Sequence, residues 1–226
     1  TNKDIKLEIL RKNGIKCQHR GPDNTSEKLL NINEYILYFM FHRLSINGLS
    51  EKGNQPMCLD NLNNYILICN GEIYNYKLLA DKYKINLTTG SDCEIIIHLV
   101  ELIGIEETIK QLDGVFSFII FNSKNNTIYI GHDPIGIRAL YWTNNDKTLG
   151  FASELKCLNN LEKDIKVFPP GHYGIYNLEN NNLEIIKYYN FIYQNIKDTE
   201  ENIIKNIKLK LELAVEKRLM SDRPVG

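Results

Sequence analysis

Apolar residues recur at the spacing of an amphipathic helix in four stretches of the chain. The pattern predicts helices over Asp4–Ile15, Tyr76–Tyr83 and Cys93–Ile103. A fourth and longer helix is predicted from Thr199 to Met220, and a stripe of that length must be buried against another surface. The stripe comprises Ile203, Ile204, Ile207, Leu211, Ala214, Val215 and Leu219.

Short runs rich in aliphatic and aromatic residues predict strands in the remaining chain. The predicted strands are Tyr35–Arg43, Tyr65–Cys69, Val115–Phe121, Thr127–Gly131, Leu140–Thr143, His172–Asn177 and Leu183–Tyr188. Several of them are separated by asparagine-rich turns, which suit the tolerance of asparagine for left-handed backbone geometry. Strands at both ends of the sequence, with helices grouped between them, indicate α+β layers and not an alternating βαβ array.

The composition of the 226 residues is that of a globular protein, with 43% hydrophobic and 24% charged residues. A balance of 27 basic against 28 acidic residues argues against partners that need a basic surface, so neither nucleic acid nor membrane binding is expected. The longest apolar runs are far shorter than the roughly 20 residues that cross a bilayer. The polar first residues do not resemble a signal peptide, and we expect a cytoplasmic protein.

The five cysteines are widely spaced and form no C-x-x-C pair, which predicts reduced thiols and neither a disulfide framework nor a zinc site. The five histidines make no H-x-x-x-H pair. Neither a dinucleotide-binding glycine motif nor a Walker A motif is present. We therefore expect no metal and no cofactor in this domain.

Arg43 stands at the end of an apolar strand, in the segment HRLSI. Arginine appears only six times in the chain, and its planar fork can grip a carboxylate in a way that lysine cannot copy. The alternative is a surface arginine or an internal ion pair.

Asn70 and Gly71 follow a buried strand and could supply an amide side chain and an unobstructed backbone N–H, the two donors of an oxyanion hole. An ordinary Asn-Gly turn is the alternative. Asp92, at a helix start, could bind an ammonium group or could simply cap the helix. Asp133 and Arg138, in the segment DPIGIR, are interpreted as a structural turn and ion pair.

A carboxylate grip, an ammonium partner and an oxyanion hole together suit a site for a free α-amino acid amide. An ordered motif series carries a more specific resemblance. It consists of HRGPD (19–23), HRLSI (42–46), QP (55–56), NGEIYN (70–75), TGSDCE (89–94), DGVFSF (113–118), DPIGIR (133–138), ASELK (152–156) and PPGHY (169–173). The series resembles the glutamine-hydrolysing domain of the asparagine synthetase family. Two related families, glutamine phosphoribosylpyrophosphate amidotransferases and glutamine–fructose-6-phosphate transaminases, share the NG and SD motifs but lack this combination.

The resemblance implies a four-layer αββα fold of the N-terminal-nucleophile type. It implies that Arg43 holds the glutamine α-carboxylate, that Glu72 and Asp92 engage the amino end, and that Asn70 and Gly71 form the oxyanion hole. The expected glutamine contacts are Arg43, Leu44, Ser45, Ile46, Asn47, Asn70, Gly71, Glu72 and Asp92.

The nucleophile of the family is a cysteine at the mature N-terminus. The sequence begins instead with Thr1 and does not include that cysteine. Thr1 is a disfavoured substitute because its neighbours are polar and helical. His132 is a further departure, since the family usually has arginine before Asp-Pro. We expect the sequence to be part of a longer protein. The alternative is a degenerate amidotransferase that serves as a scaffold or binding module.

The expected domains are a glutaminase domain over residues 1–195, lacking its first strand, and a linker helix leading into an ATP-pyrophosphatase synthetase domain over residues 196–226. Through that following domain the resemblance implies aspartate, ATP and magnesium as further ligands, and a homodimer as a possible assembly.

Overall fold

The computed structural model describes residues 2–145, 148–159, 161, 164–195 and 197–224, which form four α-helices, three short 3-10 helices and eleven strands. The helices are α1 (Asn2–Ile15), α2 (Tyr76–Tyr83), α3 (Glu94–Gln111) and α4 (Glu200–Arg218). The strands are β1 (Asn24–Ile32), β2 (Tyr35–Arg43), β3 (Met57–Leu59), β4 (Leu62–Ile73), β5 (Gly114–Asn122), β6 (Thr127–His132), β7 (Tyr141–Asn145), β8 (Thr148–Ala152), β9 (Lys166–Val167), β10 (His172–Asn177) and β11 (Asn182–Lys187).

The largest sheet is antiparallel and has the strand order β11-β10-β6-β5-β4-β3. Helices α2 and α3 cover one of its faces. The first seven residues of α3, Glu94–Val100, are all buried, and Ile95, Ile96, Ile97 and Leu99 are completely buried. A helix of this kind has to lie in the interior. These residues pack with Leu67, Phe116, Phe118 and Ile120 of the sheet in one hydrophobic cluster.

Two small sheets, β1-β2 and β8-β7-β9, cover the other face of the large sheet. Phe39 of β2 and Phe168 share a second hydrophobic cluster with Phe121 and Ile130 of the large sheet. On the far side of β2, helix α1 approaches closely enough for the ring of His42 to lie 3.0 Å from the Gly14 carbonyl oxygen. The order of layers is therefore helix, sheet, sheet, helix, and the predicted αββα sandwich is confirmed.

Most predicted elements are confirmed, but β4 and α3 are longer than predicted, and β1, β3, β8 and β9 were not predicted. β4 continues through Asn70 to Ile73, so Asn70-Gly71 is not a turn. α3 extends to Gln111, across a kink at Gly104 that has φ 75° and ψ 167°. β1 was not predicted, because its apolar residues are few and one of its faces is exposed. Its pairing with β2 along its whole length makes it a strand.

Helix α4 begins after Thr199, whose hydroxyl accepts a hydrogen bond from the Asn202 N–H at 3.4 Å. The prediction that its apolar stripe is buried is wrong for the described part of the chain. No residue of α4 is buried there, and Leu211 is 65% exposed. The described contacts of the helix with the body lie toward its C-terminal end, where Lys217 pairs with Asp113. No described helix is both long and apolar enough to cross a membrane.

The prediction that all five cysteines are reduced is also wrong. Cys17 and Cys157 form a disulfide across 140 positions of the sequence, while Cys58, Cys69 and Cys93 are free. Spacing along the chain could not indicate this pair. The tertiary fold brings the turn after α1 against the short helical turn that contains Cys157.

Candidate functional site

A cavity of about 870 Å³ lies among β2, β4, β8 and the start of α3. Eight of the nine predicted glutamine contacts line it: Arg43, Leu44, Ile46, Asn47, Asn70, Gly71, Glu72 and Asp92. Ser45 is the exception. It is buried, and its backbone N–H donates to the Asp23 carboxylate at 2.8 Å. The fold thus gathers residues from three separate sequence segments around one space.

The edge of β4 forms one wall of this cavity. β3 pairs with β4 only as far as Leu67. Beyond that point, side chains and not a neighbouring strand form hydrogen bonds with the edge of β4. The Gln55 amide accepts from the Cys69 N–H at 2.6 Å and donates to its carbonyl at 3.2 Å, while Asp92 accepts from the Ile73 N–H at 2.7 Å. Backbone N–H groups alternate between the two sides of a strand. The Gly71 N–H therefore points to the same edge as the N–H groups of Cys69 and Ile73 and lies between them.

Gly71 has a clear steric requirement in this strand. It pairs with Phe116 of β5, and a Cβ at Gly71 would lie 2.6 Å from the Phe116 Cα. No real Cβ approaches another atom so closely. A bare backbone at position 71 is therefore needed for packing, and it also leaves the N–H unobstructed on the cavity side.

Asn70 and Glu72 point to the same face of β4 because side chains alternate along a strand. The Asn70 amide nitrogen lies 3.4 Å from the Ser153 hydroxyl. The Glu72 carboxylate forms an ion pair with Arg138 at 3.1 Å. An amide donor and a backbone N–H from adjacent residues thus border the same cavity, an arrangement that can stabilise a developing oxyanion.

The turn after β6 delivers Arg138 to this face. The buried Asp133 carboxylate accepts from the backbone N–H groups of four residues that follow it, at 2.6–3.4 Å, and from that of Phe116 at 3.1 Å. The predicted structural turn is confirmed, but the ion pair joins Arg138 to Glu72 and not to Asp133. His132 supports the turn with ring nitrogens 2.9 Å from the Phe168 and Arg138 carbonyl oxygens.

The guanidinium of Arg43 is buried and already engaged. One terminal nitrogen donates to the Ser50 carbonyl and the Asn54 side chain, each at 2.9 Å. The other donates to the carbonyls of Asn47 and Gly48. Burial lowers the pKa of Arg43, and nearby Asp23 opposes this shift. Arg43 is thus neither a surface residue nor half of a close ion pair, and it organises the loop that follows it.

Asp92 is 4% exposed and has few partners. Besides the Ile73 N–H, its carboxylate meets only the long 3.5 Å contact from the Asn47 amide among the described side chains. Burial raises the pKa of Asp92 to about 6, against the hydrogen bond from Ile73. Its side chain does not cap α3, so the capping alternative is wrong. A buried carboxylate with spare acceptor capacity suits a cationic ligand.

The free thiol of Cys93 near the cavity is not activated. A hydrogen bond with Cys69 and burial together raise the pKa of the Cys93 thiol, and the nearby Asp92 charge adds to that effect. A thiol in this state is a poor nucleophile. Thr1 lies outside the described residues. Among the described residues, no group of three or more His, Cys, Asp or Glu side chains could hold a metal ion.

Sequence reasoning missed three contributors to the site, although each lies in a motif of the series. Gln55 completes the edge of β4, Ser153 meets the Asn70 amide, and Arg138 meets Glu72. Only the neighbours that they acquire in three dimensions reveal these roles.

The chain matches the model of the glutamine amidotransferase domain over residues 1–197. It is 35% identical over 231 residues to a protein of Acanthamoeba polyphaga mimivirus named probable asparagine synthetase [glutamine-hydrolyzing], covering 93% of this chain and 42% of that protein. The asparagine synthetase [glutamine-hydrolyzing] of Homo sapiens is 34% identical over 237 residues, with 94% and 42% covered. The chain thus spans well under half the length of these relatives.

Two solved structures share the fold. The glutamine phosphoribosylpyrophosphate amidotransferase of B. subtilis superposes with a TM-score of 0.65 over 81% of this chain and 47% of its own, at 19% identity. A structure described as the allosteric regulatory enzyme of purine biosynthesis gives a TM-score of 0.67 over 82% and 47%, also at 19% identity. The match over residues 1–197, together with this shared fold, places the chain in the glutamine amidotransferase domain family.

Proposed function

We propose that the chain is the glutaminase part of a glutamine-dependent asparagine synthetase. The observation that carries the proposal is the convergence of Asn70, Gly71 and the under-partnered Asp92 on one cavity. Membership of the amidotransferase family and the names of the full-length relatives support the same reaction. No observation favours a degenerate scaffold.

The proposed reaction is acyl transfer from glutamine. A cysteine thiolate, which the family resemblance places at the mature N-terminus, attacks the side-chain carboxamide and forms a C–S bond. The carbonyl oxygen gains negative charge, which the Asn70 amide and the Gly71 N–H stabilise. The C–N bond then breaks, ammonia leaves with a proton from the protonated α-amine of the cysteine, and water hydrolyses the thioester to glutamate.

The charged end of glutamine is assigned to the residues around the start of α3 and the end of β2. Asp92 receives the α-ammonium group, which supplies the positive partner that its buried carboxylate lacks. Glu72, held by Arg138, lies at the same end. Arg43 is assigned to the α-carboxylate. Both of its terminal nitrogens already donate to neighbouring groups, so binding requires sharing those donors or using Nε.

Residues 1–195 are assigned to the glutaminase domain and residues 196–226 to the linker into a synthetase domain. Ammonia released at the cavity would pass to that domain, where ATP and magnesium activate aspartate for amidation. We assign the intact protein to the cytoplasm, where ATP and aspartate are both at hand.

Asn70→Ala in the intact protein tests the proposal. Glutamate release should fall by about 10²–10³-fold, the usual effect of losing one oxyanion donor. Synthesis from free ammonia should be unchanged, because it bypasses the cavity. Asn31→Ala on the exposed face of β1 is the matched control. An unchanged rate of glutamate release would remove Asn70 from this role, and an inactive wild-type protein would favour the scaffold alternative.

A further inference from the structure

The segment that follows α4 returns to the candidate site. Residues 221–224, here named the C-terminal strap, lie against the loop of residues 44–48, here named the β2 loop. The Asp222 N–H donates to the Ile46 carbonyl at 3.0 Å, and the Asp222 carboxylate accepts from the Gly48 N–H at 2.8 Å. Asp222 therefore bonds to the backbone of the β2 loop on both sides of Asn47.

Arg223 holds the first part of the same loop. Its Nε donates to the Ser45 carbonyl at 2.8 Å, and its Nη2 donates to the Asp23 carboxylate at 3.0 Å. The same Asp23 oxygen accepts from the Ser45 N–H at 2.8 Å. Both backbone polar groups of Ser45 are thereby fixed, one by the strap directly and one through Asp23.

The β2 loop is where these contacts matter, because it supplies Leu44, Ile46 and Asn47 to the cavity wall. Gly48 has a φ of +63° and packs so closely on the backbone of Gly90 that a Cβ would lie 2.6 Å from the Gly90 carbonyl carbon. A shift of the loop would therefore be transmitted to the residues just before Asp92. Arg43 braces the loop from the protein interior, and the strap braces it from outside.

We propose that Asp222 and Arg223 are positioning residues for the glutamine-binding loop, so that glutamine affinity depends on the chain segment beyond α4. The inference rests on the proposed function for the identity of the ligand. More than 170 residues separate Asp222 from Gly48, so nothing local forces the contact. Four hydrogen bonds between two consecutive strap residues and Asp23, Ser45, Ile46 and Gly48 carry the inference.

The first measurement is hydrogen–deuterium exchange of the β2 loop amides in the intact protein. Asp222→Ala should speed exchange at Gly48, and Arg223→Ala should speed it at Ser45. The expected change is about 3- to 10-fold, as for the loss of one ordinary hydrogen bond. Arg11→Ala is the matched control, because Arg11 forms a similarly exposed pair with Glu27, between α1 and β1.

The second measurement is glutamine-dependent kinetics of the same proteins. Both strap variants should raise KM for glutamine by about 3- to 10-fold and change kcat by less than about twofold, since the strap orders the loop and touches no reacting atom. Asp222→Asn, which keeps an acceptor for the Gly48 N–H, should restore most of the affinity. Ammonia-dependent synthesis should not change.

Unchanged exchange in both strap variants would overturn the inference, and so would faster exchange with an unchanged KM. Loss of ammonia-dependent activity together with the glutamine route would also overturn it, since that indicates a general folding role. Wild-type protein without glutaminase activity would instead contradict the proposed function. The exchange data would then still decide whether the strap braces the loop.

Discussion

Two carboxylates at the start of α3, Asp92 and Glu94, are almost equally inaccessible but have opposite environments. Glu94 is 0% exposed and accepts from the N–H and hydroxyl groups of both Thr88 and Thr89, at 2.6–3.1 Å. Asp92 is 4% exposed and has one short bond, from Ile73. The pKa values of the two carboxylates reflect how many hydrogen bonds each one accepts. Burial alone would raise both, but hydrogen bonds from His98, Thr89 and Thr88 bring the pKa of Glu94 to about 2, whereas that of Asp92 rises to about 6.

The difference separates a structural carboxylate from one that is short of a partner. Glu94 connects the loop before α3 to the helix, and its carboxylate is saturated by hydrogen bonds from within the protein. Asp92 carries the cost of desolvation without a matching set of donors, which a bound cation would supply. Burial by itself therefore does not distinguish the two roles, and the number of donors does.

The largest effect is expected for Glu94→Gln. The glutamine side chain would place its own N–H groups against the four donors of Thr88 and Thr89, and the negative charge would be lost. The free energy of unfolding should therefore fall by about 3 kcal/mol, which corresponds to a fall of about 5–10 °C in Tm. The carboxylate pKa is lowered on folding, so this stabilisation is complete above pH 4.5 and disappears as the pH falls toward 2. Thermal unfolding of the variant and of the exposed control Glu107→Gln measures it. Equal stabilities of the two variants would contradict the structural role.

Asp92→Asn should lower activity with glutamine without lowering stability, the reverse of what is expected for Glu94→Gln. Loss of a charge-assisted bond to the glutamine ammonium should lower glutamine-dependent kcat/KM by roughly 10- to 150-fold. Thermal stability should stay equal or rise, because ionised Asp92 costs the folded state about 3 kcal/mol at neutral pH. Ammonia-dependent synthesis should persist. Assays of both nitrogen sources, with Asp60→Asn in the exposed β3–β4 turn as control, test this, and an undiminished glutamine route would exclude Asp92 from binding.

The pH dependence of glutamine use gives a smaller effect. Since the pKa of Asp92 is about 6, the ionised fraction and with it kcat/KM should rise about tenfold between pH 5 and 7. The rise should vanish in Asp92→Asn, which does not titrate there. The same rise of kcat/KM with pH in the wild type and in the variant would assign the titration to a group other than Asp92.

The smallest effect is expected for Arg138→Gln. Glu72 would lose its partner at 3.1 Å but would keep its place on β4, so KM for glutamine should rise by about 3- to 10-fold. Lys124→Gln, which breaks the exposed pair with Glu101, is the control and should leave KM unchanged. A variant indistinguishable from this control would show that Arg138 serves only the turn.

The types of most elements and the positions of the motifs could be predicted from the sequence alone. The helical spacing of α2 and α3 and the aromatic and aliphatic runs of β2, β5 and β10 were sufficient, because each signal is local and strong. The family resemblance also named eight residues that line the cavity. β1 and the extension of β4 escaped prediction, since a neighbouring strand and not their own residues makes them strands.

Tertiary contacts determine which carboxylate is saturated with hydrogen-bond donors, which partner Arg138 takes, and where the chain after α4 lies. Asp92 and Glu94 are two residues apart and chemically alike, so their difference comes from donors on Thr88, Thr89 and Ile73 that face them in space. The disulfide between Cys17 and Cys157 and the contact of Asp222 with Gly48 are likewise long-range. Sequence patterns report local periodicity, whereas the charge state and partners of a buried group depend on residues that only folding brings together.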